Sequence, residues 1–444
     1  MTTETEKQTL QFETYPAYKD SGVEWLGDIP SHWEGIPIRA IFEERREKNI
    51  GPKTDFILSV TRDRGVIPYD EKGAIGNNKS EDIERYKIVQ VNDLVINKMN
   101  IVIGSLGKSK YFGALSQVYI VFRPKSLKYN IDYYSLLVSN EPFYKSMIRY
   151  CTGIMELRES LNLDEFKKLL FPVPPLQEQI QIAGFLDRKT AQIDKAIGIK
   201  QRQIELLKER RQILIHKAVT HGLNPNVAMK DSGVEWIGEI PAHWEIQPIK
   251  YSLFGIVDCE HSTAPFVDEK EFFVVRTSNV KNGLLVMEEA KYTHEKGFKI
   301  WTARGVPIPG DVLLTREAPA GEACLVPADK KVCLGQRMVW LKINKAKLNS
   351  QFAIYLIYSK VVRTYIDYLS AGSTVLHFNM SDIKNIPIMS LSITEQEKIV
   401  NYTEGINRKI ATAISLKEKE IATLKEYKAS LINSAVTGKI KVDN

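Results

Sequence analysis

The sequence predicts an α+β protein in which two tandem α/β domains are joined by two long antiparallel coiled-coil helices, with a pseudo-two-fold internal repeat. Three observations lead to this prediction. A short tryptophan-containing motif occurs twice, a long charged segment with heptad spacing occurs twice, and two dissimilar stretches with short β-branched runs lie between them. The predicted segments are a first domain at 1–173, a helix at 174–222, a second domain at 223–390 and a helix at 391–444.

The composition is that of an ordinary folded protein. The chain has 444 residues, of which 43% are hydrophobic and 26% charged, so it can form more than one core and is not mainly disordered. No run reaches the ~18 apolar residues of a membrane span, and the polar start does not resemble a signal peptide. Four cysteines without a CxxC pair predict reduced thiols, as in the cytoplasm. The net charge of +7 is compatible with a polyanionic partner but does not require one.

The repeated motif, which we call the elbow, spans residues 19–34 (KDSGVEWLGDIPSHWE) and 230–245 (KDSGVEWIGEIPAHWE), with 13 of 16 positions identical. Each copy has two tryptophans eight residues apart around a glycine and a proline. This pattern predicts a structural element whose indoles pack the α/β domain against the helix, and a protein–protein contact is the alternative. We expect His32 and His243 to be packed or hydrogen bonded rather than catalytic.

The long segments carry apolar residues at alternating steps of four and three, which predicts a heptad seam between two helices of some 40 residues, each about 60 Å long. Cations occupy matched gaps, where they either fix the register or form a solvated stripe beside the seam. The first seam comprises Ile193, Ile197, Lys200, Ile204, Leu207, Arg211, Leu214 and Ala218. The second comprises Ile410, Ile414, Lys417, Ile421, Leu424, Lys428, Leu431 and Ala435.

The two helix starts differ. Pro174 and Pro175 mark the first, whereas LSITEQE at 391–397 has no diproline, so we expect a frayed or shifted start for the second helix. If the repeat closes on itself, the C-terminal GKIKVDN should lie near residues 10–20.

The two dissimilar regions read as compact sheet-containing domains. Short β-branched and aromatic runs, bounded by turn residues, alternate with helical stretches at 131–140 and 349–360. NDLVINK at 92–98 faintly matches GDVLLTR at 310–316, and SQVYIVF at 116–122 matches GQRMVWL at 335–341. The pattern indicates one fold with two different surfaces.

Catalytic motifs are missing from the sequence. IVIGSLGKS lacks the first glycine of a phosphate-binding loop, and neither HExxH, GxSxG nor an amino-methyltransferase signature occurs. Cys324 and Cys333 have no paired histidine, so no zinc site is predicted. We therefore expect a chain without catalytic residues, metal or cofactor of its own, which binds and positions rather than reacts.

The doubled elbow, PPLQEQ at 174–179 and the twin LKE…AVT segments at 207–220 and 424–437 resemble the specificity subunit of type I restriction–modification systems, over nearly the whole chain. The resemblance implies two target-recognition domains, each reading one half of a split, asymmetric DNA sequence, with the helices as spacer. It also implies a prokaryotic cytoplasmic protein that recruits two adenine methyltransferase subunits, which bind S-adenosylmethionine. Restriction subunits using ATP and Mg²⁺ would complete the complex.

DNA contacts should come from loop side chains suited to base edges and phosphates. Any one of them is otherwise a plain surface residue. The residues nominated are Arg62, Arg64, Lys98, Lys108, Lys110, Arg158, Arg276, Ser278, Asn279, Arg316, Gln336, Arg337, Thr374 and His377.

Three other functions are possible from the sequence. The chain could be a self-contained DNA methyltransferase or nuclease, or a coiled-coil scaffold whose domains bind proteins instead of DNA. RNA binding is the third, although the usual aromatic pattern is missing.

Overall fold

A computed structural model describes residues 12–73, 79–152, 160–370 and 378–442. The chain forms two compact units. Unit 1 comprises Met1–Lys200 and Glu418–Asn444, and unit 2 comprises Gln201–Lys417. The division between units therefore lies within the two long helices, so that each unit holds one α/β region and one half of each helix.

The α/β region of unit 1 is built from short elements. Its strands are β1 (Tyr18–Asp20), β2 (Asp28–Pro30), β3 (Glu34–Pro37), β4 (Phe42–Glu44), β5 (Leu58–Thr61), β6 (Gly65–Pro68), β7 (Lys87–Val89), β8 (Leu94–Asn97), β9 (Leu106–Lys108), β10 (Gly113–Leu115), β11 (Tyr119–Pro124), β12 (Cys151–Thr152), β13 (Ser160–Leu161) and β14 (Leu170–Val173). Its helices are α1 (Ile38–Ile41), α2 (Ile131–Val138), α3 (Glu141–Ser146) and α4 (Leu163–Lys168), and the long α5 (Leu176–His221) follows.

Unit 2 has a corresponding set. Its strands are β15 (Met229–Asp231), β16 (Glu239–Pro241), β17 (Glu245–Pro248), β18 (Leu253–Asp258), β19 (Phe272–Val275), β20 (Val280–Lys281), β21 (Leu284–Leu285), β22 (Lys291–Thr293), β23 (Val312–Thr315), β24 (Ala323–Leu325), β25 (Lys331–Leu334), β26 (Met338–Ile343) and β27 (Pro387–Ser390). Its helices are α6 (Glu295–Trp301), α7 (Ser350–Ile357), α8 (Lys360–Ser370) and α9 (Met380–Lys384), and the long α10 (Ile393–Val436) follows.

The central sheet has the same strand order in both units. It is antiparallel, in the order β4-β11-β8-β9 in unit 1 and β18-β26-β23-β24 in unit 2. The weakly matched segments 92–98 and 310–316 contain β8 and β23, and the segments 116–122 and 335–341 overlap β11 and β26. These strands are therefore equivalent. The prediction of one fold with two different surfaces is confirmed at the level of the sheet.

The elbow is a hairpin followed by a His–Trp pair in both units: β1 pairs with β2, and β15 pairs with β16. The outer Trp25 packs edge-to-face on Phe143, with ring centroids 5.2 Å apart. The inner Trp33 and its counterpart Trp244 are fully buried, in cores that also contain residues of the long helices. The predicted packing of the α/β region against the helix is therefore confirmed.

An acidic residue in the first turn of each long helix binds the elbow. Glu178 lies 2.7 Å from His32 Nε2 and accepts a hydrogen bond of 2.8 Å from Trp33 Nε1. In unit 2, Glu395 lies 3.1 Å from His243 Nε2. Both histidines are thus hydrogen bonded to a helix, as their place in the elbow predicted.

A buried glutamine follows each of these acids. The side chain of Gln179 accepts a 2.7 Å hydrogen bond from the backbone N–H of Asn130, the residue that caps α2, and donates one of 2.8 Å to the Pro174 carbonyl. Gln396 accepts a 2.8 Å bond from the N–H of Asn349, which caps α7, and donates to the carbonyl five residues before it. Because a buried amide must satisfy its polar atoms, each glutamine fixes the helix against the α/β region of its own unit.

The two long helices pack along each other, as the heptad spacing predicted. In unit 1, residues from the first half of α5 share a core with residues from the second half of α10; these are Ile193, Ile197, Leu431 and Ala435. In unit 2, residues from the second half of α5 share a core with residues from the first half of α10; these are Ala218, Val219, Ile399 and Val400. The pairing of early with late residues makes the two helices antiparallel.

Two of the seam cations are half-buried and paired across the helices. Lys428 Nζ of α10 lies 2.7 Å from both carboxylate oxygens of Asp194 on α5, and Lys200 of α5 pairs with Glu420 of α10. A cation that takes its acid from the opposite helix favours one register over others. These two lysines are therefore part of the seam rather than a solvated stripe.

The second long helix begins where the repeat places it. Ile393 is 217 residues after Leu176, the offset that relates the twin segments, so the predicted frayed or shifted start is wrong. Ser392 occupies the position of Pro175, and its Oγ accepts a 3.3 Å hydrogen bond from the Glu395 N–H. A serine at this position satisfies one of the free N–H groups of the first turn, so no diproline is needed.

The C-terminal segment lies beside the first residues of unit 1, as predicted. The Lys441 N–H donates to the Glu13 carbonyl at 2.7 Å, and the Tyr18 hydroxyl donates to the Gly438 carbonyl at 3.1 Å. Within the described ranges, the helices are all too short or too polar to cross a membrane.

Candidate nucleic-acid interface

Three of the nominated residues of unit 1 line one cavity of about 480 Å³. Arg62 and Arg64 lie in the turn between β5 and β6, and Lys108 ends β9. We call this surface 1; its polar lining residues are Arg62, Asp63, Arg64, Lys108, Ser135, Ser139 and Tyr144. Its lining therefore combines cations with hydroxyl groups, which are the donors that contact phosphates and base edges.

Two glycines let the chain segments below surface 1 approach each other. A Cβ on Gly107 would lie 3.3 Å from the Cα of Gly65, and Gly65 has a positive φ of 64°. A side chain at Gly107 would crowd the β5–β6 turn, whereas at Gly65 the positive φ, rather than the space, disfavours a side chain. The glycines thus bring the two arginines next to Lys108.

The three cations of surface 1 differ in how they are held. Arg64 donates to the Glu71 carboxylate at 3.2 Å, and Lys108 pairs with Asp132. The Arg62 side chain is 65% exposed, and the carboxylate of Asp63 is 4.0 Å away. Arg62 is therefore the cation with the weakest internal partner.

Four of the nominated residues of unit 2 line a second cavity, of about 240 Å³. Arg276 and Ser278 follow β19, whereas Gln336 and Arg337 lie in the turn between β25 and β26. We call this surface 2; its polar lining residues are Thr263, Arg276, Thr277, Ser278, Gln336 and Arg337. An amide and several hydroxyls accompany the two arginines, so its hydrogen-bonding chemistry differs from that of surface 1.

A close approach of two strands also underlies surface 2. The Gly335 N–H donates to the Val275 carbonyl at 2.8 Å, and a Cβ on Gly335 would lie 2.8 Å from that same oxygen. Only glycine fits there, and it holds the β25–β26 turn against the end of β19. Gln336 is thereby placed beside Arg276.

The two surfaces share one corresponding segment of the fold. Surface 2 follows β19, which pairs in parallel with β25, the strand that leads into β26. Surface 1 follows β5, and the residue before β5, Ile57, forms a parallel bridge with Ala114 of β10, the strand that leads into β11. Since β11 and β26 are equivalent strands, the segments that follow β5 and β19 lie at corresponding places, whereas the other lining residues come from different segments in the two units.

Two nominated residues are buried and form hydrogen bonds within the fold, so the structure does not support them as DNA contacts. Asn279 has no exposed surface, and its amide donates to the carbonyls of Val286 and Glu288 at 3.1 and 3.0 Å. Arg316 is 7% exposed, and its Nη1 donates to both carboxylate oxygens of Asp258. Both residues follow strands in polar segments, which is why the sequence did not separate them from loop residues.

Of the other nominated residues that the structure describes, Lys98 and Lys110 do not line either cavity. Lys98 is half-buried after β8, and Lys110 is exposed after β9. Arg158, Thr374 and His377 lie outside the described residues. Sequence reasoning missed Ser135, Ser139 and Tyr144 in surface 1 and Thr263 and Thr277 in surface 2, and apart from Thr277 these residues come from segments distant in the chain from the nominated ones.

The cysteines are not placed as ligands. Burial raises the pKa of the Cys324 and Cys333 thiols to about 12, which opposes formation of a thiolate. Among the residues that the structure describes, no group of three or more His, Cys, Asp or Glu side chains is arranged to hold a metal ion.

Known proteins with similar sequences span the whole chain. The chain is 26% identical over 98% of its length to the Methanocaldococcus jannaschii protein named as the MjaX specificity subunit of a type I restriction enzyme, covering 99% of that protein. It is also 26% identical to the MjaVIII specificity subunit of the same organism, over 94% of this chain and 95% of that one.

Solved structures agree at the level of the fold. A chain from a structure of complex assembly and conformational transition of the type I R-M system aligns with a TM-score of 0.67 and 14% identity, covering 92% of this chain and 98% of its own. The HsdS subunit from Thermoanaerobacter tengcongensis aligns with a TM-score of 0.53 and 14% identity, covering 93% and 98%.

The family model described as the type I restriction modification DNA specificity domain matches residues 30–209 and again residues 263–426. The two matches together cover most of the chain, and each contains one of the surfaces described above. The chain therefore belongs to the type I restriction–modification specificity family and is a DNA sequence-recognition subunit.

Proposed function

We propose that each unit reads one half of a split, asymmetric DNA sequence, the first half by surface 1 and the second half by surface 2. The observation that carries this proposal is that one shared framework bears two chemically different surfaces, each of which includes the corresponding segment after β5 or β19. A symmetric target would need two copies of the same surface. Two different surfaces suit two different half-sites.

The side chains available support base reading in the major groove. Arginine forms bidentate hydrogen bonds with guanine, and glutamine does so with adenine. Surface 1 offers Arg62 and Arg64, whereas surface 2 offers Arg276, Arg337 and Gln336. The hydroxyl groups in each cavity suit phosphate oxygens, which position a duplex without reading it.

We propose that the paired helices set the spacing between the half-sites. At 1.5 Å per residue, the 46 residues of α5 and the 44 of α10 extend about 69 and 66 Å. Equivalent major-groove faces recur every ~34 Å, so a rod of this length can span more than one helical turn of DNA. The buried Gln179 and Gln396 would hold each α/β region at a fixed rotation about its helix.

The chain would act without catalysis of its own. We propose that it recruits two copies of an adenine methyltransferase subunit that supply S-adenosylmethionine, and restriction subunits that supply ATP and Mg²⁺ chemistry. The names of the relatives, which are specificity subunits of type I restriction enzymes, support this division of labour.

Methylation-sensitive sequencing of the host genome tests the proposal. The expected result is a split motif with methylated adenines that disappears when the gene is deleted and returns on complementation. Purified chain incubated with DNA and S-adenosylmethionine should transfer no methyl group without partner subunits. Methyl transfer by the chain alone would show a self-contained enzyme, and a continuous motif would contradict two half-sites.

Single substitutions assign the half-sites. Arg62→Ala should weaken binding by about 1–3 kcal/mol and relax the base preference in one half-site only, and Gln336→Ala should do the same in the other half-site. Arg85→Ala serves as a control, because Arg85 is an exposed unit 1 arginine outside surface 1. If both substitutions affect the same half-site, or neither affects any, the assignment of the surfaces is wrong.

A further inference from the structure

The ion pair between Arg316 and Asp258 lies across the central strand of the sheet in unit 2. Asp258 ends β18 and Arg316 directly follows β23, and these two strands flank β26 on either side. Arg316 Nη1 lies 3.0 and 2.8 Å from the two oxygens of Asp258. The pair therefore spans the end of β26 that is preceded by the turn carrying Gln336 and Arg337.

Hydrogen bonds connect this pair directly to surface 2. The Arg316 N–H donates to the Arg337 carbonyl at 2.8 Å. On the other side, Gln336 Nε2 donates to the carbonyl of His261 at 3.3 Å, and the His261 ring lies 3.4 Å from Asp258. The backbone of Arg316 thus holds Arg337, and Gln336 is held by His261, whose ring neighbours Asp258.

Arg316 also holds the chain at Phe378. Its Nε donates to the Phe378 carbonyl at 3.1 Å, and the Phe378 N–H donates back to the Arg316 carbonyl at 3.0 Å. In unit 1, the equivalent Lys98 accepts the same backbone bond from Leu161 N–H. Arg316 binds Asp258 through Nη1 and the Phe378 carbonyl through Nε, and a lysine has no second nitrogen with which to hold both partners. The backbone bond thus belongs to the shared framework, and the arginine fork is an addition in unit 2.

The backbone next to the pair is strained. Arg337 has a φ of 66°, which is unfavourable for a residue with a Cβ, and its Nε lies 3.0 Å from the Glu317 carboxylate. Such strain persists only where the surroundings hold it, and it is concentrated at functional sites. Two consecutive residues hold Arg337: Arg316 through its backbone N–H and Glu317 through its carboxylate.

Stability alone is a poor reason for this arrangement. The side chains of Arg316 and Asp258 are 9% and 20% exposed, so desolvation offsets much of their attraction. A largely buried guanidinium that is held by Asp258 through Nη1 and by the Phe378 carbonyl through Nε has a defined orientation. That orientation is the one that places Gln336 and Arg337.

We propose that the Asp258–Arg316 ion pair is a positioning device for surface 2, which fixes the β25–β26 turn so that Gln336 and Arg337 can discriminate the second half-site. The inference rests on the proposed function of surface 2. Arg316 acts through other residues and does not itself touch DNA.

The test compares Arg316→Met with Arg363→Met in the full-length chain. Arg363 forms a partly buried ion pair with Glu322 at 3.2 Å in the same unit, and neither residue lines surface 2, so it is a matched control. The probes are duplexes with the split sequence that wild-type protein selects from a random library, and duplexes with one half-site scrambled. Affinity for each duplex and the unfolding temperature are measured for every variant.

We expect Arg316→Met to reduce discrimination against a scrambled second half-site by about tenfold or more, with discrimination at the first half-site unchanged. Arg363→Met should lower the unfolding temperature without changing either ratio. If Arg316→Met also keeps both ratios, the pair is merely structural and the proposal is overturned.

Asp258→Asn provides a second variant should Arg316→Met fail to fold, because it removes the charge with little change of shape. It should shift the same ratio in the same direction, and an unchanged ratio would overturn the proposal. If wild-type protein selects no split sequence, the proposed function fails instead, which is a distinct result.

Discussion

The indole of Trp33 donates a hydrogen bond of 2.8 Å to Glu178, whereas the indole of Trp244, its equivalent in unit 2, is buried without a hydrogen-bond partner among the described residues. The acid is present in both units, but Glu395 contacts only the ring of His243. The Tyr15 hydroxyl adds a third hydrogen bond to Glu178, at 3.2 Å. The carboxylate of the first helical turn thus forms three hydrogen bonds with its surroundings in unit 1 and one in unit 2, although the two elbows are nearly identical.

Replacement of the two acids should therefore have unequal effects. Glu178→Ala removes three hydrogen bonds to a charged acceptor and leaves the Trp33 donor buried, so we expect unit 1 to lose about 2–3 kcal/mol of unfolding free energy. Glu395→Ala should cost unit 2 about 1 kcal/mol or less. Denaturant dependence of hydrogen exchange, followed on peptides of each unit, measures both values. Equal losses would show that the indole bond contributes nothing.

The C-terminal segment provides a second prediction. Gly438 has a φ of 74°, and an added Cβ would lie 2.4 Å from Pro30 Cδ and 3.0 Å from the Trp33 ring. Gly438→Ala should therefore destabilise unit 1 by at least about 1 kcal/mol more than Gly22→Ala. Gly22 has a φ of 70° with open space around it, so its substitution measures the backbone strain alone. Thermal unfolding of both variants gives the difference, and similar unfolding temperatures would contradict the tight packing of the tail.

A third prediction concerns pH and Glu44. Burial alone would raise the pKa of Glu44, but the hydrogen bond and charge of Lys167, with the charges of Lys87 and Arg46, outweigh it and lower the pKa below 4.5. A carboxyl whose pKa is depressed in the folded state stabilises the protein above its unfolded pKa, and this contribution is lost as the pH falls through the folded value. Glu44→Gln should hence cost about 1.5–3 kcal/mol near pH 7 and nothing in sufficiently acidic solution.

Unfolding free energies of wild type and Glu44→Gln, compared from about pH 7 to about pH 3, measure this loss. Glu141→Gln is the control, because Glu141 forms an exposed pair with Lys145 and should change stability by only a few tenths of a kcal/mol. A Glu44→Gln difference that does not depend on pH would rule out the charge as its cause.

The fourth prediction concerns the seam. A double-mutant cycle of Asp194→Asn and Lys428→Met should give a coupling energy of about 0.5–1 kcal/mol, because the pair is only half-buried. The coupling should weaken in about 1 M salt, where the screening length is ~3 Å. Denaturant unfolding at two salt concentrations measures this coupling energy. A coupling energy of zero would show that the pair does not stabilise the seam.

Much of the framework could be predicted because it is repeated. The constant offset between the twin segments, and the elbow with its buried Trp33 and Trp244, depend on residues that pack in the same way twice. The start of α10 could not be predicted, since a proline and the Oγ of Ser392 are different chemical routes to one helix end. Periodicity shows where a helix runs, but its ends depend on single hydrogen bonds.

The surfaces were only partly predictable. Arg62 and Arg64 were nominated as loop arginines that follow a predicted strand, and the structure places both in surface 1. By the same reasoning Asn279 and Arg316 were nominated, although both are buried. Burial depends on what covers a segment in three dimensions, and for Arg316 that is Asp258, 58 residues earlier in the chain. Hydroxyls such as that of Ser139 reach surface 1 from another helix end, and no local pattern records this.

The buried glutamines have a consequence for how the gene can change. Each amide fixes the rotation of a long helix at its first turn, and one residue inserted into the helix just after Gln179 would rotate every later seam side chain by about 100° relative to that fixed turn. Insertions in hairpin turns outside surfaces 1 and 2 do not rotate the helix. Proteins descended from this one should accordingly vary in length at such turns and keep a constant length in the first turns of α5 and α10.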